Sequence, residues 1–136
     1  MAAYRYFTEE AATLACMVMG VRPLVKPDGV ESFDYYIGDG LYGSMNSLLY
    51  DHAVISAHPL GGPQGAKAPK SFESTVFGPT CDGLDVVLSD YQLPKLSYGD
   101  WLVFPRMGAY TLAGASDFNG MGVSEANVSY VFSLGI

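Results

Sequence analysis

Apolar residues at the start of the chain fall at Ala11, Leu14, Ala15, Val18 and Met19, three or four apart, which is the spacing of one helix face. Thr8 ahead of Glu9 and Glu10 offers a hydroxyl cap and acids for a first turn. Gly20 and Pro23 offer a stop. The pattern predicts one N-terminal helix over TEEAATLACMVMG. After it the period changes. FDYYIG, STVFG, WLVF, AYTLAG and NVSYVFSL are short, aromatic and β-branched, and Gly, Pro and Asp punctuate them. These runs predict a mainly β domain, an antiparallel Greek-key-like barrel or sandwich, with the one helix in front. The stretch from His58 to Ser71, HPLGGPQGAKAPKS, reads as a long Gly/Pro/Lys loop. There is no internal repeat.

The length of 136 residues suits a single domain, 1–136, with a core of its own. Charged residues make up 15% and the net charge is −7, so nucleic acid and anionic lipid are poor partners. No apolar run is long enough for a membrane helix, and no signal core follows Arg5. A cytoplasmic location is the expectation. Cys16 falls in the apolar pattern and reads as a small hydrophobe; two cysteines do not make a disulfide framework. No metal-ligand spacing is present.

Gly38, Gly40 and Gly43 in GDGLYG satisfy G-x-G-x-x-G. A dinucleotide site also needs a helix opening at the last glycines inside a β-α-β unit. SMNSLLYDHA and a Gly/Pro loop follow instead. The better reading is glycines allowing positive φ at a turn or bulge.

FGPTCDGLD, from Phe77 to Asp85, sets a thiol beside a carboxylate between two turn signals. Read locally it is a hairpin tip, with Asp82 capping an Asp-Gly turn. Other stretches add to it. LLYDHA pairs Tyr50 with Asp51, and MGAYTLAGASDFNG carries Tyr110, Phe118 and Asn119. DYYIGDGLYGSMNSLLYDHA, VFGPTCDGLD, GDWLVFPRMGAYT and DFNG, taken in this order, resemble the C-terminal β-domain of eukaryotic ornithine decarboxylase. That enzyme is pyridoxal-phosphate-dependent and of the alanine-racemase-like fold type. The resemblance runs from about Tyr4 to Val131, and Asp82 after the cysteine is similar to the ornithine branch.

The resemblance implies roles. Cys81 would be the catalytic proton donor, since a positioned thiol can serve as a general acid. Asp51 and Asp82 would hold the distal ammonium of a diamino-acid substrate. Tyr42, Tyr50 and Phe118 would line its pocket. Tyr110 and Arg5 would face the cofactor phosphate. Asp85 would pair with a lysine of an opposing subunit; without the family it would be a solvated carboxylate. The family's cofactor lysine lies in a (β/α)₈ barrel of about 250 residues. None of Lys26, Lys67, Lys70 and Lys95 falls in a cofactor motif, and Ala2, Ala3 and Tyr4 stand where the family has Glu-Pro-Gly. The expectation is therefore a domain that does not bind pyridoxal phosphate covalently and is inactive alone. It would work with a barrel domain, a homodimer partner, or both. The alternative is a non-catalytic interaction or regulatory module of the same fold.

Overall fold

The structure, a computed structural model, describes residues 3–61, 70–122 and 128–131, with side chains from residue 6 onward. A short helix α1 (Ala3–Thr8) and a 3-10 turn (Glu9–Ala11) lead into strands β1 (Leu14–Val25) and β2 (Glu31–Ile37). A four-residue helix α2 (Ser47–Tyr50) and strands β3 (His58–Pro59), β4 (Ser71–Phe77), β5 (Val86–Pro94) and β6 (Trp101–Phe104) follow. Two 3-10 turns, Leu112–Gly114 and Phe118–Gly120, come last among the described elements.

The sheet order is β3-β6-β1-β2-β4-β5. Its two edges curl toward each other. The Tyr91 hydroxyl on β5 donates to the Ala57 carbonyl and accepts from the Ala57 N–H, both at 3.1 Å, just ahead of β3. The result is the mainly β, barrel-like domain the sequence predicts. The pairing is mixed rather than antiparallel throughout, because β2 and β4 run parallel.

The N-terminal helix lies earlier than its pattern suggests. Thr8 ends α1 and makes no side-chain cap, and the run from Leu14 is strand. Its apolar residues fit both periods, but burial follows the strand period: Cys16 and Val18 are buried while Ala15 and Met19 are exposed. Gly20 and Pro23 are costly inside a helix. They are tolerated in β1, whose second half pairs with β2 alone. AYTLAG forms the 3-10 turn at Leu112, not a strand. Of NVSYVFSL, residues 128–131 carry no strand and the rest lies outside the described residues. The predicted loop after His58 contains β3, and its residues 62–69 are likewise outside. β5 went unpredicted: its apolar alternation is interrupted at Ser89-Asp90, where Asp90 takes a φ of 51° and the register slips.

Inside the curl, Val18, Tyr35, Ile37, Val76, Leu93, Leu102 and Phe104 are sealed from solvent. Burial of such side chains, at about 2 kcal/mol each, is what holds the sheet in its curl. Since β1 is antiparallel to both β2 and β6, and β4 is parallel to β2, the strands β2, β4 and β6 all point the same way. The loops after them therefore emerge at one end of the domain, and Tyr42, Tyr50, Asp51, Cys81, Asp82, Tyr110 and Phe118 all lie in them.

Candidate active site

The loop between β4 and β5 closes with the Gly78 N–H on the Asp85 carbonyl (2.8 Å) and the Asp85 N–H on the Asp82 carbonyl (3.0 Å). FGPTCDGLD is thus a hairpin tip as its turn signals indicate, although Gly83 keeps an ordinary φ. The tip leaves the Cys81 thiol free and exposed, whereas the Cys16 thiol is buried and pushed up to about 12 by desolvation.

Asp85 anchors this loop to the one after β2. It is 1% exposed. Its Oδ1 accepts the Leu41 N–H at 2.8 Å, and its Oδ2 accepts the Thr80 N–H at 3.1 Å and the Thr80 hydroxyl at 2.7 Å. The solvated reading of Asp85 is overturned: both oxygens are engaged within its own chain. The glycines of GDGLYG also serve differently from expectation. None of the three has positive φ. A Cβ on Gly40 would overlap the Asp85 carboxylate and stand 2.8 Å from the Gly78 Cα, and one on Gly43 would overlap the Asp39 carboxylate. Close approach, to the Gly78 backbone at Gly40 and to the Asp39 carboxylate at Gly43, and not turn conformation, favours glycine at those two positions.

On this anchored base the side chains form a closed ring. The Tyr42 hydroxyl donates to Asp82 Oδ2, while the Leu84 N–H occupies Asp82 Oδ1 at 2.9 Å. The Phe118 ring stacks on Tyr42, centroids 3.9 Å apart. Asn119, the next residue, donates from Nδ2 to Cys81 Sγ at 3.1 Å, and Cys81 adjoins Asp82. The Ser116 N–H on the Tyr42 carbonyl, 2.8 Å, holds the third loop against the first.

The ring has an electrostatic signature. The Asp82 carboxylate, with its own charge a smaller cause, raises the Tyr42 phenol to about 12. The Tyr42 hydroxyl and then the Leu84 N–H hold Asp82 below the ordinary aspartate value. The depressed carboxylate contributes above its unfolded value of about 4 and loses this as pH falls through its lower folded value. The raised phenol contributes below about 10 and loses this as pH rises toward 12. The Tyr42–Asp82 contact therefore adds its full stability between about pH 4 and pH 10 and is lost only beyond those limits, as pH passes the folded values. Absorbance titration checks it. In wild type the Tyr42 phenol should ionise near pH 12, and Asp82→Asn should move it back toward about 10.

Of the predicted residues, Cys81, Asp82, Tyr42 and Phe118 are brought together. Tyr50 and Asp51 lie outside the ring, at the end of α2 beyond the Tyr42 loop, both exposed, Tyr50 to 69%. Tyr50 adds only a small electrostatic contribution to the raised state of Tyr42. Tyr110 is 43% exposed in a left-handed conformation, φ 52°. Its segment meets the N-terminus: Met107 and Gly108 donate to the Ala12 and Glu9 carbonyls at 2.8 and 3.1 Å. The helix bearing Arg5 and the segment bearing Tyr110 thus share one corner; the Arg5 side chain lies outside the described residues.

Two asparagines went unassigned in the sequence. Asn46 stands ahead of α2 but makes no helix cap. Its buried amide donates instead to the carbonyls of Gly43 (2.7 Å) and Thr111 (2.6 Å), tying two loops. Asn119 takes φ 56° and Gly120 φ 70°. The Asn-Gly dipeptide signals such a turn, but nothing local says that its amide faces a sulfur.

The sequence profile of the pyridoxal-dependent decarboxylases, C-terminal sheet domain, matches residues 5–108. The chain belongs to this family. It is 53% identical over 125 residues to a chloroplastic ornithine decarboxylase of Nicotiana glauca, covering 88% of this chain and 28% of that one. It is 39% identical over 138 residues to ornithine decarboxylase of Mus musculus, covering 95% and 29%. The arginine decarboxylase of Paramecium bursaria Chlorella virus, solved with agmatine, superposes with a TM-score of 0.74 at 32% identity, over 87% of this chain and 30% of that one. The chain spans less than a third of the length of these relatives.

Among the described residues, this end of the sheet offers a phenol, a thiol and carboxylates but no lysine amine. The described lysines are at the opposite end of the sheet. Lys26, after β1, pairs with Glu73 at 2.5 Å; Lys70, before β4, lies 4.8 Å from the centre of the Phe72 ring; and Lys95, after β5, lies 5.4 Å from that of Phe33. Lys67 is outside the described residues. No helix among the described residues is long and apolar enough to cross a membrane.

Proposed function

We propose that this chain is the C-terminal part of a pyridoxal-phosphate-dependent ornithine decarboxylase, converting L-ornithine to putrescine and CO₂. In this reading it completes a composite site on a barrel domain, its own or that of a homodimer partner, and is inactive without it. The observation that carries the proposal is the ring in which an exposed thiol adjoins a carboxylate backed by stacked aromatics. The family's chemistry and the ornithine decarboxylase names of the relatives support it.

The roles follow from the chemistry of each group. Tyr110 and Arg5 would hold the phosphate edge of the cofactor, which when bound supplies a ring that withdraws the electron pair left by departing CO₂. Asp82 and Asp51 bind the distal ammonium. Removed from bulk water, a carboxylate attracts it far more strongly than at a solvated surface. The Tyr42–Phe118 stack covers the methylene chain and excludes water. Cys81 gives its proton to the carbon that lost CO₂.

The test is CO₂ release from ornithine by the chain combined with a barrel domain of the same family, against the chain alone. Release only with the barrel is expected. Binding to a competent barrel without release would favour the alternative, a non-catalytic regulatory module. The reading includes a cytoplasmic location. A fluorescent fusion of the gene product found in plastids, as the name of the Nicotiana relative suggests for that protein, would overturn that part.

A further inference from the structure

We infer that Asn119 is a positioning residue for Cys81, fixing where the thiol points, and that its left-handed backbone exists to aim its amide at the sulfur. This deepens the proposed function and rests on it for the catalytic consequence. Three observations converge. The Asn119 amide reaches Cys81 Sγ at 3.1 Å across 38 residues of sequence. Asn119 has a φ of 56° and ψ of 20° inside the 3-10 turn Phe118–Gly120, a conformation unfavourable for most side chains and better borne by asparagine. The turn is held from its other side by the Phe118 stack on Tyr42, so the strained residue is clamped between that ring and the thiol.

A thiol has one hydrogen and accepts through its lone pairs. An N–H directed at sulfur occupies a lone pair and turns the S–H away from Asn119, toward the open side of the exposed tip. Through Tyr42 and Asp82 the same ring fixes the carboxylate next to Cys81. Donor thiol and ammonium-binding carboxylate are thereby set at a constant separation, which distinguishes a substrate by the distance between its reacting carbon and its distal amine.

The test uses two substitutions that preserve the backbone. Asn119→Gly accepts φ 56° and removes the amide. Asn119→Asp keeps the shape and replaces the donor with an acceptor of like charge to a thiolate. In the full chain, alkylation of Cys81 by iodoacetamide, followed by peptide mass spectrometry, should slow about fivefold in Asn119→Gly, what one net hydrogen bond is worth, and further in Asn119→Asp. A purely structural role gives the opposite sign, because a loosened loop exposes the thiol and speeds alkylation. Unchanged or faster alkylation in Asn119→Gly therefore overturns the inference. In the enzyme assembled with its barrel, Asn119→Gly should lower kcat about tenfold with KM nearly unchanged; a change in KM alone would contradict the positioning role. If the wild-type assembly releases no CO₂, the proposed function fails, and the order of alkylation rates still decides whether Asn119 positions the sulfur.

Discussion

Replacing Cys81 by alanine in the enzyme assembled with its barrel is expected to lower ornithine turnover about 10²-fold or more, the contribution of a positioned general acid. KM should change by less than about threefold. The reason lies in how the thiol is placed. It sits at a hairpin tip, exposed, with the Asn119 amide on its sulfur, so its replacement removes the proposed proton donor without disturbing a packed wall. Asp82 keeps its Tyr42 and Leu84 donors in the variant, so the carboxylate proposed to bind the substrate's ammonium stays in place. Steady-state kinetics on both proteins separate the two constants. A variant whose KM rises while kcat holds would make Cys81 a binding group instead.

The second large effect is on stability. Asp85→Ala should lower the unfolding free energy by about 3 kcal/mol or more, because it orphans the Leu41 and Thr80 N–H groups and the Thr80 hydroxyl in a place water reaches poorly. Each buried unsatisfied group costs about 1–3 kcal/mol. Asp85→Asn keeps an acceptor and should lose less. Urea unfolding checks the pair through a lowered midpoint at constant slope. The damage should also appear at the site, since Leu41 precedes Tyr42 and Thr80 precedes Cys81: one buried carboxylate holds the backbones that carry the phenol and the thiol. A midpoint equal to that of wild type would mean that the two loops are held by packing alone.

How much of this was legible in the sequence depended on whether the signal was local. The strands FDYYI, STVF and WLVF announce themselves by aromatic and β-branched composition, and the tip FGPTCDGLD by its turn residues. The stretch after Leu14 defeated the pattern because Ala, Leu, Val and Met at those spacings suit a helix face and a strand face equally. What settles it is the partner strands, Phe104 back to Trp101 and Ile37 back to Glu31, which lie far away in the sequence. The parallel β2–β4 pairing is invisible for the same reason, yet it is what sends two of the site loops to one end. Cys81, Asp82, Tyr42 and Phe118 were found through blocks of sequence that resemble a family. Their mutual contacts were not, because Tyr42 and Asp82 are 40 residues apart. Asp85 reads as one more surface acid until the loop that buries it is in view, and Asn119 reads as a turn residue until the sulfur is.

The central claim is that this end of the sheet completes a site whose cofactor-bearing lysine is on a separate barrel. A crystal structure of the chain assembled with its barrel and soaked with putrescine tests it most directly. The expected result is a diamine amino group within about 3 Å of the Asp82 or Asp51 carboxylate, hydrogen-bond reach, with the Cys81 sulfur facing the end nearest the cofactor. A diamine bound elsewhere, with Cys81 and Asp82 turned to solvent, would contradict it.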